Sequence, residues 1–452
     1  MKISLAYIFS LPYIFLFAAY SFTLAESIDE NALFSDSNSV VDSSTLVGNV
    51  ASVNANTDKK SLGISGKILG RSQVGAARDY FSEPDSKFSS LYSNMVGDAY
   101  IDARLLRGYK AYANLEWSAD SVTAFRVPEM FLDANFDHKI YFRFGKQILQ
   151  WGRCYFFNPT DLINIESKTF LQRIGGREGT LGTKLHIPFG TAANIYGFLN
   201  LNQVNRPDSL AGSLKAEFLT VGTEFSFMVY DKGGHIPVYG ADISTRVLGI
   251  DLNGEVALYP ELKTKTLAFA GPLPQIVENK REWSPKISIG AGKAFTVGGF
   301  KDRLNLVTEY YYNPAGDGSA YMFGQNGAQL LSQLNSAAAI GAGTGTNSAT
   351  ISNQISSGLL SSGIYQPNSY SKNYAAFFAS FSRFLIQDLT LSFNALGNLD
   401  QNSATVSSGI GYRDLNDFGI SVNINGFLGP VGTEYVLQRQ ALQAQIILDA
   451  AF

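Results

Sequence analysis

Apolar and polar residues alternate along most of this chain, in segments of about ten residues. In the segment 99–106, for example, Ile101 and Leu105 alternate with Asp102 and Arg104. Successive side chains of a β-strand point to opposite faces, so each such segment predicts a strand with one apolar and one polar face. More than a dozen of these segments, without a competing helical period, predict an all-β protein.

Following the alternation backward from the end of the chain gives a strand count. The predicted strands are 62–70, 96–106, 109–118, 122–135, 138–149, 178–188, 191–201, 212–220, 222–231, 238–248, 250–259, 285–296, 303–313, 373–383, 387–397, 404–412, 418–427 and 440–452. This count of about 18 is even, and 16 is the alternative if neighbouring segments merge. An even count is compatible with a single antiparallel transmembrane β-barrel, because bacterial barrels have even strand numbers, and this fold is predicted from the count together with the amino-terminal segment, the aromatic last residue and the alternating connection lengths.

The predicted connections alternate between short and long. Short ones include 107–108, 136–138, 188–190, 298–302, 386–388 and 413–417, and longer ones lie near 71–95, 150–177, 260–284, 313–372 and 427–439. Outer-membrane barrels have short periplasmic turns and long external loops. A soluble sandwich would show the same alternating strands with its charged faces in water, so the strand pattern alone leaves both folds open.

The amino terminus is typical of an exported protein. Residues 3–25 carry no charge and follow Lys2, which predicts a signal peptide at 1–25. The alternative is a membrane anchor, because the uncharged run is long enough to span a bilayer. Residues 26–60 are rich in Ser, Asp and Asn and are expected to form a disordered periplasmic leader, which leaves 61–452 for the barrel.

Composition agrees with a transmembrane barrel. The chain is 45% hydrophobic and 13% aromatic, yet its mean hydropathy is only +0.01, and no long apolar run follows residue 25. Only half of the strand residues of such a barrel face lipid, which keeps the average low. The single cysteine, Cys154, excludes an intramolecular disulfide, and the net charge of −3 gives no reason to expect a nucleic-acid partner.

The chain ends on an alternating strand whose last residue is the aromatic Phe452. Behind a signal peptide, such a strand resembles Gram-negative outer-membrane barrels, and this resemblance implies that Phe452 is an assembly signal for the insertion machinery. Residues 142–164 contain G-K-Q, W-G and N-P-T-D in that order. This pattern is similar to porin-like families, including alginate-export-type barrels, and residues 306–316 and 394–400 add to the likeness. Those families imply an outer-membrane location and a pore for small solutes.

Polar side chains at mid-strand are expected to line the lumen. They are Asp102, Arg104, Tyr112, Arg143, Lys184, His186, Arg246 and Glu309. Trp117, Trp151 and Trp283 are interpreted as residues of the membrane interface, where tryptophan is common.

The loop 150–177 is expected to fold into the lumen and narrow it. Gly152 allows a turn that other residues resist, and Pro159 fixes the backbone, so the loop can hold its own shape. Its charged residues Arg153, Asp161, Arg173 and Arg177 would then approach Arg143 and Lys184 on the wall. An ordinary external loop is the alternative.

The function favoured by the sequence is an outer-membrane channel for passive diffusion of small hydrophilic solutes. The alternative is an adhesin or surface antigen that displays the 313–372 loop, which is long, polar and low in charge. No enzyme, metal or cofactor is expected, because no nucleophile–base pair is evident and the three histidines are isolated. The expected partners are outer-membrane lipid and lipopolysaccharide, the outer-membrane assembly machinery and a small hydrophilic solute.

Overall fold

A closed β-sheet is the architecture of this chain. The computed structural model describes residues 60–77, 87–105, 108–119, 123–149, 151–163, 179–202, 204, 210–268, 275–316, 366–415, 417–430, 433–436 and 440–452. Within these ranges, 18 antiparallel strands pair in chain order, and the first strand also pairs with the last. The predicted barrel and its even strand number are confirmed. The predicted signal peptide and nearly all of the predicted leader fall in residues 1–59, outside the described residues.

The strands follow the predicted segments one for one. In chain order they are β1 (Ser61–Ala77), β2 (Lys87–Arg104), β3 (Lys110–Ala119), β4 (Thr123–Phe136), β5 (Ile140–Gln147), β6 (Thr180–Phe189), β7 (Ala193–Asn200), β8 (Ala211–Thr220), β9 (Thr223–Lys232), β10 (Val238–Val247), β11 (Ile250–Ala268), β12 (Gln275–Val297), β13 (Phe300–Tyr312), β14 (Asn373–Phe381), β15 (Leu389–Asn398), β16 (Ser403–Leu415), β17 (Phe418–Leu428) and β18 (Gln440–Ala451). A 3-10 turn at Glu434–Val436 precedes β18. In the described ranges, no helix is long and apolar enough to cross a membrane.

Two of the predicted long loops are largely strand. The prediction is wrong in extent at 71–95, because β1 and β2 stay paired as far as Ala77 and Lys87. It is also wrong at 260–284, where β11 and β12 stay paired as far as Ala268 and Gln275. Apolar residues such as Val74 and Leu91 are few in these strand ends, and charged residues follow one another at 280–282, so the alternation by which a strand is recognised from sequence is weak there.

The β11–β12 extension forms a two-stranded ribbon beyond the barrel wall. β10 pairs with β11 only as far as Leu258, and β13 pairs with β12 only as far as Ile287. Charged pairs join the ribbon across its strands, as in the 2.6 Å contact between Lys280 Nζ and Glu261 Oε2. Such opposite-charge pairs stabilise a strand pair that has no apolar face to bury.

The apolar faces of the strands point away from the lumen. Leu105 and Phe142 are exposed, and Leu306 shares a face with the exposed Tyr310. The opposite faces carry Asp242 and Glu309, which bind one and the same loop from different strands. Only the concave side of a closed sheet allows this, so the predicted orientation of the strands is confirmed.

The seam between β1 and β18 is closed by the last residue of the chain. Gly66 N donates to Phe452 O at 2.8 Å, and Phe452 N donates to Gly66 O at 2.9 Å. The Phe452 ring covers Gly66, since a Cβ added there would meet two ring carbons at 2.4 and 2.9 Å. Gly66 therefore provides the space that the terminal ring occupies.

We expect Gly66→Ala to destabilise the barrel by about 1–3 kcal/mol, the usual cost of overpacking, because the new methyl group takes the place of the Phe452 ring. Gly63→Ala on the same strand is the matched control, since a Cβ there meets no atom closer than 3.8 Å. The measurement is the temperature at which the heat-modifiable folded band is lost on electrophoresis. Equal losses in the two variants would contradict the prediction.

Candidate functional site

A loop that leaves β5 crosses the interior of the barrel. Directly after the strand, the backbone N–H of Ile148 donates to Glu129 on β4 at 2.8 Å. Farther along, the ring of Tyr155 lies 5.0 Å from the ring of Phe378 on β14. β14 is nine strands away from β5 in a barrel of 18, which is half of the circumference. The loop therefore spans the lumen from one wall to the opposite wall.

Glu309 on β13 holds the far part of this loop. Its carboxylate accepts hydrogen bonds from three successive backbone N–H groups, those of Tyr155, Phe156 at 2.9 Å and Phe157 at 3.0 Å. A buried backbone N–H without an acceptor is costly, and a loop has no strand ladder to supply one. The Glu309 carboxylate provides the acceptors that a neighbouring strand would otherwise provide, and the three N–H groups stabilise its negative charge.

Glu255 on β11 holds the middle of the loop in the same way. One oxygen accepts from the backbone N–H of Cys154 at 2.5 Å. The other accepts from Thr160 twice, from its backbone N–H at 3.2 Å and from its hydroxyl at 2.7 Å. Two positions of the loop that are six residues apart thus share one wall carboxylate, which fixes the fold of the segment between them.

The side chain of Arg153 binds a third part of the wall. Its guanidinium pairs with Glu217 on β8 at 2.9 Å, with Asp242 on β10 at 3.2 Å and with Glu224 on β9. Burial alone would lower the pKa of Arg153, but the three carboxylates outweigh it and hold that pKa above its ordinary value. Lys215 shares Asp242 at 2.9 Å. The loop cation thereby compensates buried negative charges that the wall would otherwise carry alone.

Apolar side chains fill the space between the loop and β7–β11. The buried cluster consists of Leu149, Trp151, Leu162, Ile163, Tyr196, Phe198, Met228 and Ala257. Trp151 is only 5% exposed, so its predicted position at the membrane interface is wrong. Its indole joins the apolar cluster inside the lumen, while its carbonyl oxygen accepts from Lys215 Nζ at 2.6 Å.

Gly152 is required for close packing rather than for a left-handed backbone. It does not adopt a positive φ, which corrects the turn predicted at this residue. A Cβ at Gly152 would lie 2.5 Å from Asn158 Oδ1 and 2.6 Å from Glu255 Oε1. The N-P-T-D segment closes its own turn, since Asp161 N donates to Asn158 O at 3.1 Å. The W-G and N-P-T-D parts of the motif therefore pack directly against each other.

A second layer of inward-folded chain lies beside this loop. The carboxylate of Glu434 is buried and accepts from the Tyr374 hydroxyl at 2.7 Å, from Asn398 Nδ2 at 2.8 Å and from the backbone N–H of Asn368 at 2.8 Å. Phe157 joins the two layers, because its ring stacks on that of Tyr311 at 5.1 Å and lies 6.0 Å from that of Tyr374. The two layers form one body against β8–β16.

Asp400 closes the base of the 313–372 insertion. It accepts from the backbone N–H groups of Lys372 at 2.7 Å and Asn373 at 2.8 Å. On the other side of the insertion, Asn313 N donates to Lys372 O at 2.8 Å. The two flanks of the insertion are therefore tied to each other, by residues from the motif segments 306–316 and 394–400.

The wall formed by β2–β6 carries cations of its own. Arg143 pairs with Asp133 through two hydrogen bonds of 2.6 and 2.9 Å, and its guanidinium carbon lies 3.8 Å from the centre of the Phe131 ring. Lys184 Nζ lies 5.2 Å from the Tyr196 ring. Cations on this wall are thus placed beside both carboxylates and aromatic rings.

The predicted lumen residues occupy three kinds of position. Asp102, Tyr112, Arg143, Lys184 and His186 lie on the polar face of β2–β6, Arg104 and Arg246 are exposed near the short turns, and Glu309 is buried beneath the loop. Within the loop, Asp161 is fully buried, and Arg153 contacts three acids rather than the predicted cations Arg143 and Lys184. Arg173 and Arg177 fall outside the described residues.

Most of the acids that hold the loop are not among the site residues predicted from the sequence. The missed residues are Glu129, Glu217, Glu224, Asp242 and Glu255, together with the cation Lys215. All but Glu224, the second residue of β9, lie at mid-strand on a polar face, as Glu309 does, so the same alternation would have selected them as lumen residues. Which of these lumen residues contact the loop depends on how strands that are distant in sequence come together. The sequence of a single strand does not show this.

Comparisons with known proteins find likenesses of shape alone. No family model matches the chain, and no curated protein matches it. Among solved structures, OccAB4 of Acinetobacter baumannii is 7% identical, with 88% of this chain and 99% of that chain covered at a TM-score of 0.49. A BenF-like porin from Pseudomonas fluorescens is 7% identical, with 87% and 98% covered at 0.49.

OccK2 of Pseudomonas aeruginosa, solved in complex with glucuronate, is 8% identical, with 86% of this chain and 96% of that chain covered at a TM-score of 0.49. The barrel assignment of the present chain rests on its own strand pairing.

We expect Glu309→Ala to release the far part of the loop, because three backbone N–H groups then lose their acceptor. Glu309→Gln is the matched control, since its amide oxygen keeps one acceptor and should give a smaller effect. Single-channel conductance in a planar bilayer measures the change, which should be a higher and noisier conductance for the alanine variant. Wild-type conductance in both variants would show that Glu309 does not hold the loop.

We expect Cys154 to resist alkylation in the folded barrel. Burial raises the pKa of its thiol, and the carboxylates of Glu255 and Glu309 raise it further. The reactive species is the thiolate, so a raised pKa keeps the folded thiol protonated even when the pH rises through about 8.5, where an ordinary cysteine ionises. Iodoacetamide labelling between about pH 7 and 9 should accelerate in urea-unfolded protein and stay slow in folded protein. Equal rates in the two states would contradict this.

Proposed function

We propose that this chain is an outer-membrane channel for passive diffusion of small hydrophilic solutes, in an envelope of the Gram-negative type. The observation that carries the proposal is a closed 18-stranded barrel with an apolar outer face and a loop that crosses its lumen. A barrel of this size leaves an aqueous interior unless the chain fills part of it. A loop held inside by wall carboxylates is a means of narrowing such an interior.

The passage is proposed to follow the wall of β2–β6. The loop and the second layer occupy the side of β7–β16, where their polar groups are engaged with each other. On the β2–β6 side, Lys110 pairs with Asp102 at 2.9 Å and Arg143 pairs with Asp133, while Lys184 lies against Tyr196 of β7. Pore radius and lining charge determine which solutes pass, and these charges are of mixed sign.

The finer likeness to alginate-export-type barrels remains a proposal based on residues 142–164. In support, each part of the pattern has a role in folding the loop inward. Gln147 Nε2 donates to the carbonyl oxygen of Gly182 at 3.3 Å, Gly152 admits Asn158, and Thr160 binds Glu255. The pattern is therefore proposed as a signature of an inward loop, and it does not specify a solute.

The proposed partners follow from the surfaces of the barrel. The apolar outer face suits lipid and lipopolysaccharide, and the terminal Phe452 is proposed as the residue that the assembly machinery reads. The alternative function as an adhesin or antigen depends on residues 317–365, which lie outside the described residues. The flanks of that segment are tied to each other and to the inner wall, and no observation favours display over diffusion.

We expect purified protein to give stable single-channel steps in a planar bilayer, and Arg143→Glu to shift its reversal potential toward cation preference. The substitution removes a positive charge from the proposed passage and adds a negative one beside Asp133. Arg143→Gln is the matched control, with about half of the shift expected because it changes the charge by one rather than two. Absence of conductance steps in the wild-type protein would overturn the proposed channel.

A further inference from the structure

Two neighbouring turns at the short-turn end of the barrel expose apolar side chains at their tips. Val221-Gly222 joins β8 to β9, and Leu248-Gly249 joins β10 to β11. Val221 is 100% exposed and Leu248 is 91% exposed. Neither side chain gains more than marginal stabilisation from contacts within the protein.

The backbone of both turns disfavours these residues. The φ angles are 47° and 75° in the first turn and 52° and 73° in the second, so both central residues are left-handed. Asn-Gly and Asp-Gly are preferred in such two-residue hairpins, and a β-branched residue at positive φ is unfavourable. The three-residue β4–β5 turn, by contrast, places the polar residues Asp137 and His138 at positive φ, each at 51°. The chain thus departs from turn chemistry at two adjacent tips, which indicates a compensating contact outside the chain.

The polarity of the rim changes around the barrel. The turns 190–192, 221–222 and 248–249 contain no charged residue. By contrast, the β4–β5 turn carries Asp137 and Lys139 as an ion pair of 3.1 Å, and the turn 382–388 contains two charged residues. Gly298-Gly299, between β12 and β13, is also uncharged, so the uncharged turns are consecutive from β6 to β13.

This uncharged arc is continuous with the apolar outer face. Phe189 precedes the first of its turns and is 55% exposed, and Leu214, Phe227 and Ile243 are exposed on the outside of the same strands. Water solvates exposed apolar side chains poorly. Because these turn residues continue the apolar outer face of the barrel, lipid is the surrounding that suits them.

We propose that the β8–β9 and β10–β11 turns are immersed in the periplasmic leaflet, with Val221 and Leu248 deeper in the bilayer than Asp137. The occupant of the apolar tips is then the acyl region of the membrane. This inference rests on the proposed outer-membrane location. Lipid contact supplies the favourable interaction that the turn backbone lacks.

The test places a nitroxide label at single cysteines and measures its collisions with oxygen, which concentrates in lipid, and with a water-soluble nickel chelate. Val221→Cys and Leu248→Cys are the test sites, and Asp137→Cys is the matched turn control. Leu214→Cys reports on the lipid-facing belt. The full chain is used in phosphatidylethanolamine–phosphatidylglycerol vesicles, and the unsubstituted chain, in which Cys154 is buried, gives the background.

The ratio of collision rates with oxygen and with the nickel chelate is expected to be severalfold higher at Val221 and Leu248 than at Asp137, and close to the ratio at Leu214. Ratios like that of Asp137 would overturn the inference while leaving the membrane location intact. Protection from both reagents at the two tips would also overturn it, because a protein surface would then cover them. A water-accessible Leu214 would overturn the membrane location itself, which separates failure of the proposed function from failure of this inference.

Discussion

The arrangement of the chain inside this barrel depends on hydrogen bonds between wall carboxylates and the backbone of the loop after β5. In a closed sheet, the backbone N–H and C=O groups bond to neighbouring strands. The segment after β5 leaves the sheet, so its backbone N–H groups need other acceptors. Glu255 and Glu309 supply the acceptors, and five N–H groups of the loop supply the donors. Neither partner is stable in the interior alone, since a buried carboxylate and a buried amide each need the other.

The same solution recurs in the second layer. Glu434 and Asp400 accept from backbone and side-chain groups of the segments that flank the long insertion. Aromatic rings then join the two layers, with Phe157 against Tyr311 and Tyr374. The wall from β7 to β16 is thereby covered by chain, while charged pairs such as Arg143–Asp133 on β5 and β4 lie outside these contacts. The asymmetry of the lumen follows from which strands carry the carboxylates.

Alternation in the sequence predicts the strands, their count and their faces because each of these depends on neighbouring residues, whereas the choice of a barrel over a sandwich also needed the alternating lengths of the connections. The β11–β12 ribbon was not predictable in this way, since its charged residues such as Glu261 and Lys280 pair across strands in water. Gly152 shows a different limit. From sequence, a glycine is readily interpreted as a turn residue. At position 152, however, glycine is needed because Glu255, on a strand about 100 residues away, approaches the backbone closely, and this contact exists only after folding.

Most wall residues that contact the loop lie later in the chain than the loop itself. Glu217, Asp242, Glu255, Glu309 and Phe378 all follow the loop in sequence, the last by more than 200 residues. The loop therefore lacks the wall residues that fix its path until the strands up to β14 have been synthesised. The seam has the same requirement, because β1 pairs with β18 and Gly66 with Phe452, so a chain cut short after the loop would leave both the interior and the seam incomplete.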